Sequence, residues 1–206
     1  MFKLSVPGRH FATNAVAVLA MVDLVGGDIV TAAQDLSRWD PPAGRGARER
    51  RLLDPIAPEV SFDLIDDAYN ANPTSLAASL EVLAAATPRD GIGRIKQGRR
   101  IAILGDMLEM GSDELTLHAE IAQLSSISDL DLIHCVGPRM RALHDVLPLQ
   151  QQGEWVEAAE ALVAQCAGLV DAGDVVLVKG SKGSKVSLLV DALKKLSHPH
   201  RGVDEE

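Results

Sequence analysis

The stretch DDAYNANPTS, Asp66 to Ser75, sets two carboxylates, a tyrosine and two asparagines between the apolar run VSFDLI and a helix. Adjacent carboxylates repel one another unless a cation or hydroxyl groups compensate. A pair followed within three residues by Tyr69 and Asn70 exceeds what a turn needs, and this points to ligand binding at Asp67. The second half of the stretch is explained by helix initiation, with Asn72 as N-cap and Pro73 in the first turn.

Three further apolar runs end in polar or small residues: Gly105-Asp106, Gly137-Pro138 and Lys179-Gly180-Ser181. Taken alone, Asp106 reads equally as a turn residue. KGSKGSK, Lys179 to Lys185, is a small-residue loop with three lysines ahead of a helix. Free backbone N–H groups and ammonium charges there suit an anion, and a solvated loop explains the same composition. It is not a Walker loop, because no window of the chain matches G-x-x-x-x-G-K-[ST]. No cysteine and histidine spacing fits a zinc site, so no metal ligand is assigned. No serine elbow occurs either. His118 falls in an amphipathic helix and His134 in a strand, positions that suit core or surface roles.

Strands and helices must bring these groups together. VSFDLID, RRIAILGD, DLDLIHCVG and GDVVLVKG read as strands, with a shorter one at EWV. NPTSLAASLEVLAAA, DELTLHAEIAQLS, a short segment near Met140 to Val146, EAAEALVAQCAGLV and SKVSLLVDALKKL read as helices between and after them. Continuous apolar strands alternating with helices predict a doubly wound α/β domain around a mostly parallel sheet. In such sheets ligands bind at the carboxyl ends of the strands, which is where the acids and the lysine lie.

The first forty residues differ. A helix from about Phe11 to Val25 stops at Gly26-Gly27, and a second carries Ile29, Ala32, Ala33 and Leu36 on one face. Their apolar surface needs a cover, either as the end of another domain or as extra helices against the α/β layer. DPPAGRGARERR then reads as a linker or exposed loop, and SHPHRGVDEE at the end as disordered.

Composition narrows the function classes. The 206 residues carry a formal charge of −9, with 47% hydrophobic and only 3% aromatic residues. The acidic balance argues against a nucleic-acid partner, and no segment is long enough to span a membrane. Cys135 and Cys166 sit in apolar contexts, as buried reduced thiols do, which suggests a cytoplasmic protein.

Read in order, VPGRHFATNAVAVLA, PPAGRG, DDAYNANPTSLAASLEVL, RRIAILGDMLEMG and VLVKGSKGSKVSLLVDAL resemble the Mur ligases, in particular the branch that adds D-alanyl-D-alanine. The resemblance covers nearly the whole chain apart from the tail. It implies that residues 1–45 are the last strip of a central ATPase domain with its linker, that 46–197 are a Rossmann-like C-terminal domain, and that 198–206 are a disordered tail. It implies ATP with Mg2+, the Mg2+ ligands lying in a central domain outside this chain. The expected partners are UDP-N-acetylmuramoyl-tripeptide, D-alanyl-D-alanine and the missing N-terminal and central domains. Nucleotide contacts fall on His10, Asn14, Arg45, Asp67, Tyr69 and Asn70. Phe11 stands where the family motif has its first asparagine. Asp106, Glu109, Lys179 and Ser181 fall on the surface for the incoming dipeptide. No catalytic residue is assigned, and a chain without a phosphate loop is expected to be inactive alone. Two rivals remain at the level of sequence: a phosphoacceptor receiver-like signalling domain, and a free-standing nucleotide-binding module.

Overall fold

The computed structural model describes residues 2–200. They form a helical unit up to Pro42 and a larger α/β unit from Ala43. In the first unit, α1 (Arg9–Leu24) and α2 (Ile29–Leu36) follow the expected spans, and Asp28 caps α2 by accepting the Val30 and Thr31 N–H groups. Phe11 bridges the His10 and Trp39 rings. Val16, Val18, Met21, Leu24, Val25, Ile29 and Val30 are exposed, so the apolar surface seen in the sequence stays open in this unit.

Among the described residues of the second unit, seven strands form one sheet in the order β5-β4-β3-β6-β2-β1-β7. The parallel strands are β2 (Ser61–Asp67), β3 (Arg100–Gly105), β4 (Leu132–Val136), β5 (Gln152–Val156) and β6 (Val175–Lys179). The helix α3 (Pro73–Ala84), with α4 (Glu114–Glu120) and α5 (Arg141–His144), packs on one face, where Leu76, Leu80, Leu83, Ile121 and Met140 meet Ala102, Leu104 and Leu177. On the other face lie α6 (Ala159–Val163), α7 (Cys166–Leu169) and α8 (Ser187–Lys195), whose Leu162, Leu169, Leu189 and Leu193 meet Phe62, Leu64, Ile103 and Val178. The central strands β3, β4 and β6 are covered on both sides, which is why they are apolar almost throughout. The α/β class and the doubly wound sheet agree with the sequence. Asn72 caps α3 in a reciprocal capping box with Ser75, and Pro73 follows at the start of the helix.

Four local expectations need correction. The basic run read as loop is β1 (Ala47–Leu52), antiparallel to β2. It has no apolar period because ion pairs pin it instead. Arg48 and Arg50 both donate to Asp63 on β2, at 2.7 and 3.0 Å, while buried Arg51 donates to the Lys194 and Ser197 carbonyls. Charged side chains of this kind are usual near a sheet edge, and β1 is covered beyond only at its last two residues. At the other end, His198–Pro199 is not disordered: it forms β7 against Leu52 and Arg51, and the His200 N–H reaches the Arg50 carbonyl. The remainder of the expected tail, 201–206, lies outside the described residues. The helix beginning near Asp113 is shorter than read, tightening to 3-10 geometry at Ile121–Gln123. The segment after β5 breaks into α6 and α7 at Gln165, which leaves helical dihedrals.

Candidate functional site

Parallel register aligns the strand ends. Asp67 on β2 lies opposite Lys179 on β6, Lys179 opposite Leu104 on β3, and Gly105 opposite Val136 on β4. The connections that follow therefore share one rim.

At its centre the Lys179 ammonium donates to Asp67 Oδ2 at 2.8 Å and to the Asn70 carbonyl at 3.0 Å. Lys179 is only 2% exposed, and the Asp67 side chain 17%. An ammonium this deep needs a paired charge and oxygen acceptors, which the chain supplies from one short turn. Ser79 on α3 brings its hydroxyl to the same Oδ2 at 2.5 Å. Asp67 Oδ1 takes no hydrogen bond among the described residues. The two acids of the pair thus have different environments. Asp67 faces α3 and Lys179, whereas Asp66 accepts the Gly44 and Ala68 N–H groups and lies 3.9 Å from Lys194 Nζ. Burial raises the Asp66 carboxyl above its ordinary range, against the pull of the Ala68 N–H, Lys194 and the Gly44 N–H.

Asp66 also fixes the start of the unit. Gly44 has φ +76° and a Cβ there would meet Tyr69 Cβ at 3.1 Å, so glycine suits both its backbone and its space. Its carbonyl receives the Tyr69 N–H at 3.0 Å. Arg45 is thereby held over the Tyr69 ring, 4.2 Å from the centroid. Tyr69 is 49% exposed, so its ring and the guanidinium form an open platform beside Asp67. The Asn70 side chain accepts the Ala71 N–H at 2.9 Å and shapes the turn.

The neighbouring loops are tied by Ser181. Its hydroxyl donates to the Ala71 carbonyl at 3.3 Å and accepts the Leu108 N–H at 2.9 Å, while its own N–H reaches the Asp106 carbonyl at 3.0 Å. One side chain links the connections after β2, β3 and β6. The loop after β3 gains a second anchor in His118, which accepts the Met107 N–H at 2.9 Å and meets the Glu114 carbonyl through Nδ1. Asp106 is buried, and its carboxylate accepts the Met140 N–H at 2.8 Å and faces Arg139 at 3.4 Å. Gly137, at φ +112°, leaves room for that carboxylate, which a Cβ would meet at 2.4 Å. Arg139 also pairs with Glu114 at 2.6 Å. Glu109 is exposed at the loop tip with φ 65°, a strained backbone for a residue with a side chain.

Asp67, Tyr69, Asn70, Asp106, Lys179 and Ser181 therefore share the rim, with Arg45 beside them and Glu109 on its outer loop. His10 and Asn14 lie one turn apart on α1 of the helical unit. Ser79 and Arg139 are the participants that sequence reasoning passed over. A serine among Leu76, Leu80 and Leu83 on a buried helix face was the available signal for the first. No residue spacing marked Arg139. Among the described residues, no group of three or more His, Cys, Asp or Glu side chains could hold a metal ion. No helix among them is long and apolar enough to cross a membrane. Asp106, the acceptor that a receiver domain would need, has its carboxylate engaged by the Met140 N–H and Arg139.

The model of the Mur ligase glutamate ligase domain matches residues 53–182. The chain is similar to UDP-N-acetylmuramoyl-tripeptide–D-alanyl-D-alanine ligases: 29% identical to that of Rickettsia prowazekii, over 89% of this chain and 37% of the relative. Against the Treponema pallidum ligase the identity is 30%, over 94% of this chain and 39% of the relative. The chain spans less than two fifths of the length of these relatives. In fold it is similar to the crystal structure of MurF ligase from Thermotoga maritima in complex with ADP, with a TM-score of 0.73 and 22% identity, covering 95% of this chain and 40% of that one.

Proposed function

The chain belongs to the Mur ligase family, and on that premise we propose that it forms part of an ATP-dependent ligase joining D-alanyl-D-alanine to UDP-N-acetylmuramoyl-tripeptide in peptidoglycan-precursor synthesis in the cytoplasm. In the reaction, ATP converts the tripeptide carboxylate to an acyl phosphate. The dipeptide amine then attacks the acyl carbon, the new amide bond forms, and phosphate leaves. Such chemistry relies on positioning and on screening of anionic phosphates.

The observation that carries this reading is the Asp67–Lys179 contact, which leaves Asp67 Oδ1 without a hydrogen bond among the described residues, on the connection that also carries the exposed Tyr69 ring under Arg45. A carboxylate oxygen with free lone pairs suits ribose hydroxyls, an exposed ring suits stacking, and a guanidinium suits phosphate. Asn70 shapes the same edge; for His10 and Asn14, on α1 of the helical unit, the assignment to adenine rests on the family resemblance. The incoming dipeptide is assigned to the loops carrying Asp106, Glu109, Lys179 and Ser181. Glu109 offers the accessible carboxylate there, while the other three, buried and locally bonded, build the wall. Mg2+ ligands and the phosphate loop are assigned to protein outside this chain, whose sequence holds no Walker pattern.

The chain by itself is then expected to lack ligase turnover. An assay with ATP, Mg2+, UDP-N-acetylmuramoyl-tripeptide and D-alanyl-D-alanine, read as phosphate release and amide product, tests this. Amide product formed by the purified chain alone contradicts the division of labour.

A further inference from the structure

We propose that Ser79 is a positioning residue for nucleotide binding, holding Asp67 so that Oδ1 alone faces the ribose hydroxyls. The inference rests on the nucleotide reading above and concerns a side chain outside the DDAYNANP stretch.

Ser79 lies on the buried face of α3, among Leu76, Leu80 and Leu83. A hydroxyl in that setting requires a partner. Its Oγ is 2.5 Å from Asp67 Oδ2 and 2.8 Å from the Ser75 carbonyl. Both neighbours are acceptors, and the hydroxyl has one proton. The shorter contact and the charge assign that proton to the carboxylate. Lys179 Nζ reaches the same Oδ2 at 2.8 Å. Two donors from different elements, α3 and β6, thus converge on one oxygen. A carboxylate torsion is broad and roughly two-fold, so a single donor would leave it free to rock. A second donor from the helix side fixes the plane of the group. Oδ1, without a hydrogen bond among the described residues, then keeps both lone pairs free, which suits the two hydroxyls of a vicinal diol.

Calorimetric titration of the full chain with ADP and with 2′,3′-dideoxy-ADP tests this. Wild type is expected to prefer ADP. Ser79→Ala is expected to cut that preference about five-fold, in line with the net contribution of one ordinary hydrogen bond, and to leave dideoxy-ADP affinity unchanged. Ser79→Thr, which keeps the hydroxyl, is expected to retain the preference. Unaltered dideoxy-ADP binding reports an intact fold in each variant. Wild-type preference retained in Ser79→Ala overturns the positioning role alone. Wild type binding both nucleotides equally, or neither, overturns the nucleotide reading beneath it.

Discussion

Lys179 Nζ lies 2.8 Å from Asp67 Oδ2, although 112 residues separate the two along the chain. The parallel pairing of β2 with β6 makes this contact, since Asp67 and Lys179 are the last register partners of those strands. Breaking a buried pair from one side strands the other charge, at a cost of about 3–5 kcal/mol. Asp67→Ala, which leaves the Lys179 ammonium buried without its carboxylate, is expected to lower unfolding free energy by about 3 kcal/mol. Asp67→Asn combined with Lys179→Met removes both charges and is expected to recover much of that loss. Urea titrations of the single and double variants measure it; equal losses in both would refute the pairing energy.

Ser181→Ala removes the acceptor of the Leu108 N–H and the donor to the Ala71 carbonyl. Leaving a buried amide unsatisfied costs about 1–3 kcal/mol. The readout specific to the latch is hydrogen exchange. The Leu108 amide is expected to exchange faster in the variant while amides in the centre of β6 keep their protection.

His134 makes stability depend on acid. Its Nδ1 accepts the Glu154 N–H at 2.9 Å, which places the proton on Nε2 of a neutral ring. Burial, aided by the nearby Arg99 charge, pushes its pKa from 6.5 down to about 4. The folded state therefore binds the proton less readily than the unfolded chain. Above pH 6.5 this costs nothing. As pH falls from 6.5 to about 4 stability is lost at about 1.4 kcal/mol per unit, for a total of about 3 kcal/mol. His134→Leu is expected to remove that part of the slope in denaturant titrations run across the window.

Cys135 is buried, and its thiol is pushed up to about 12 by burial first and by Asp106 and Asp145 after it. Burial also raises Cys166. Since the thiolate is the reactive form, a disulfide-exchange reagent at pH 8 is expected to label neither thiol in the native protein and both in denaturant. Rapid native labelling of Cys135 would contradict its placement in β4.

The apolar strands, the α3 cap and the acids at the strand ends were legible because each has a local signature: continuous β-branched and aliphatic runs, Asn72-Pro73, and carboxylates where apolar runs stop. The strand β1, next to last in the sheet, was not, because its order comes from Arg48 and Arg50 pairing with Asp63 on another strand, and ion pairs leave no periodicity. β7 was hidden for a related reason, since two residues closing on Arg51 and Leu52 are too few to set a pattern. At the rim, sequence identified Asp67 and Lys179 but not how they divide the work. Lys179 and Ser181 are buried and bonded inward, and Asp67 alone among the three keeps an open oxygen. That distinction depends on which neighbours α3 and β6 bring, and only the packing of Ser79 against Asp67 determines it.

The claim that this rim receives the nucleotide is tested most directly by an isotope-edited titration of the chain with ADP, following backbone amides. The account predicts shifts concentrated at Arg45 and Asp67 to Asn70. No shifts at all, or shifts centred on the opposite end of the sheet around Ile92, Arg94 and Asp171, would contradict it.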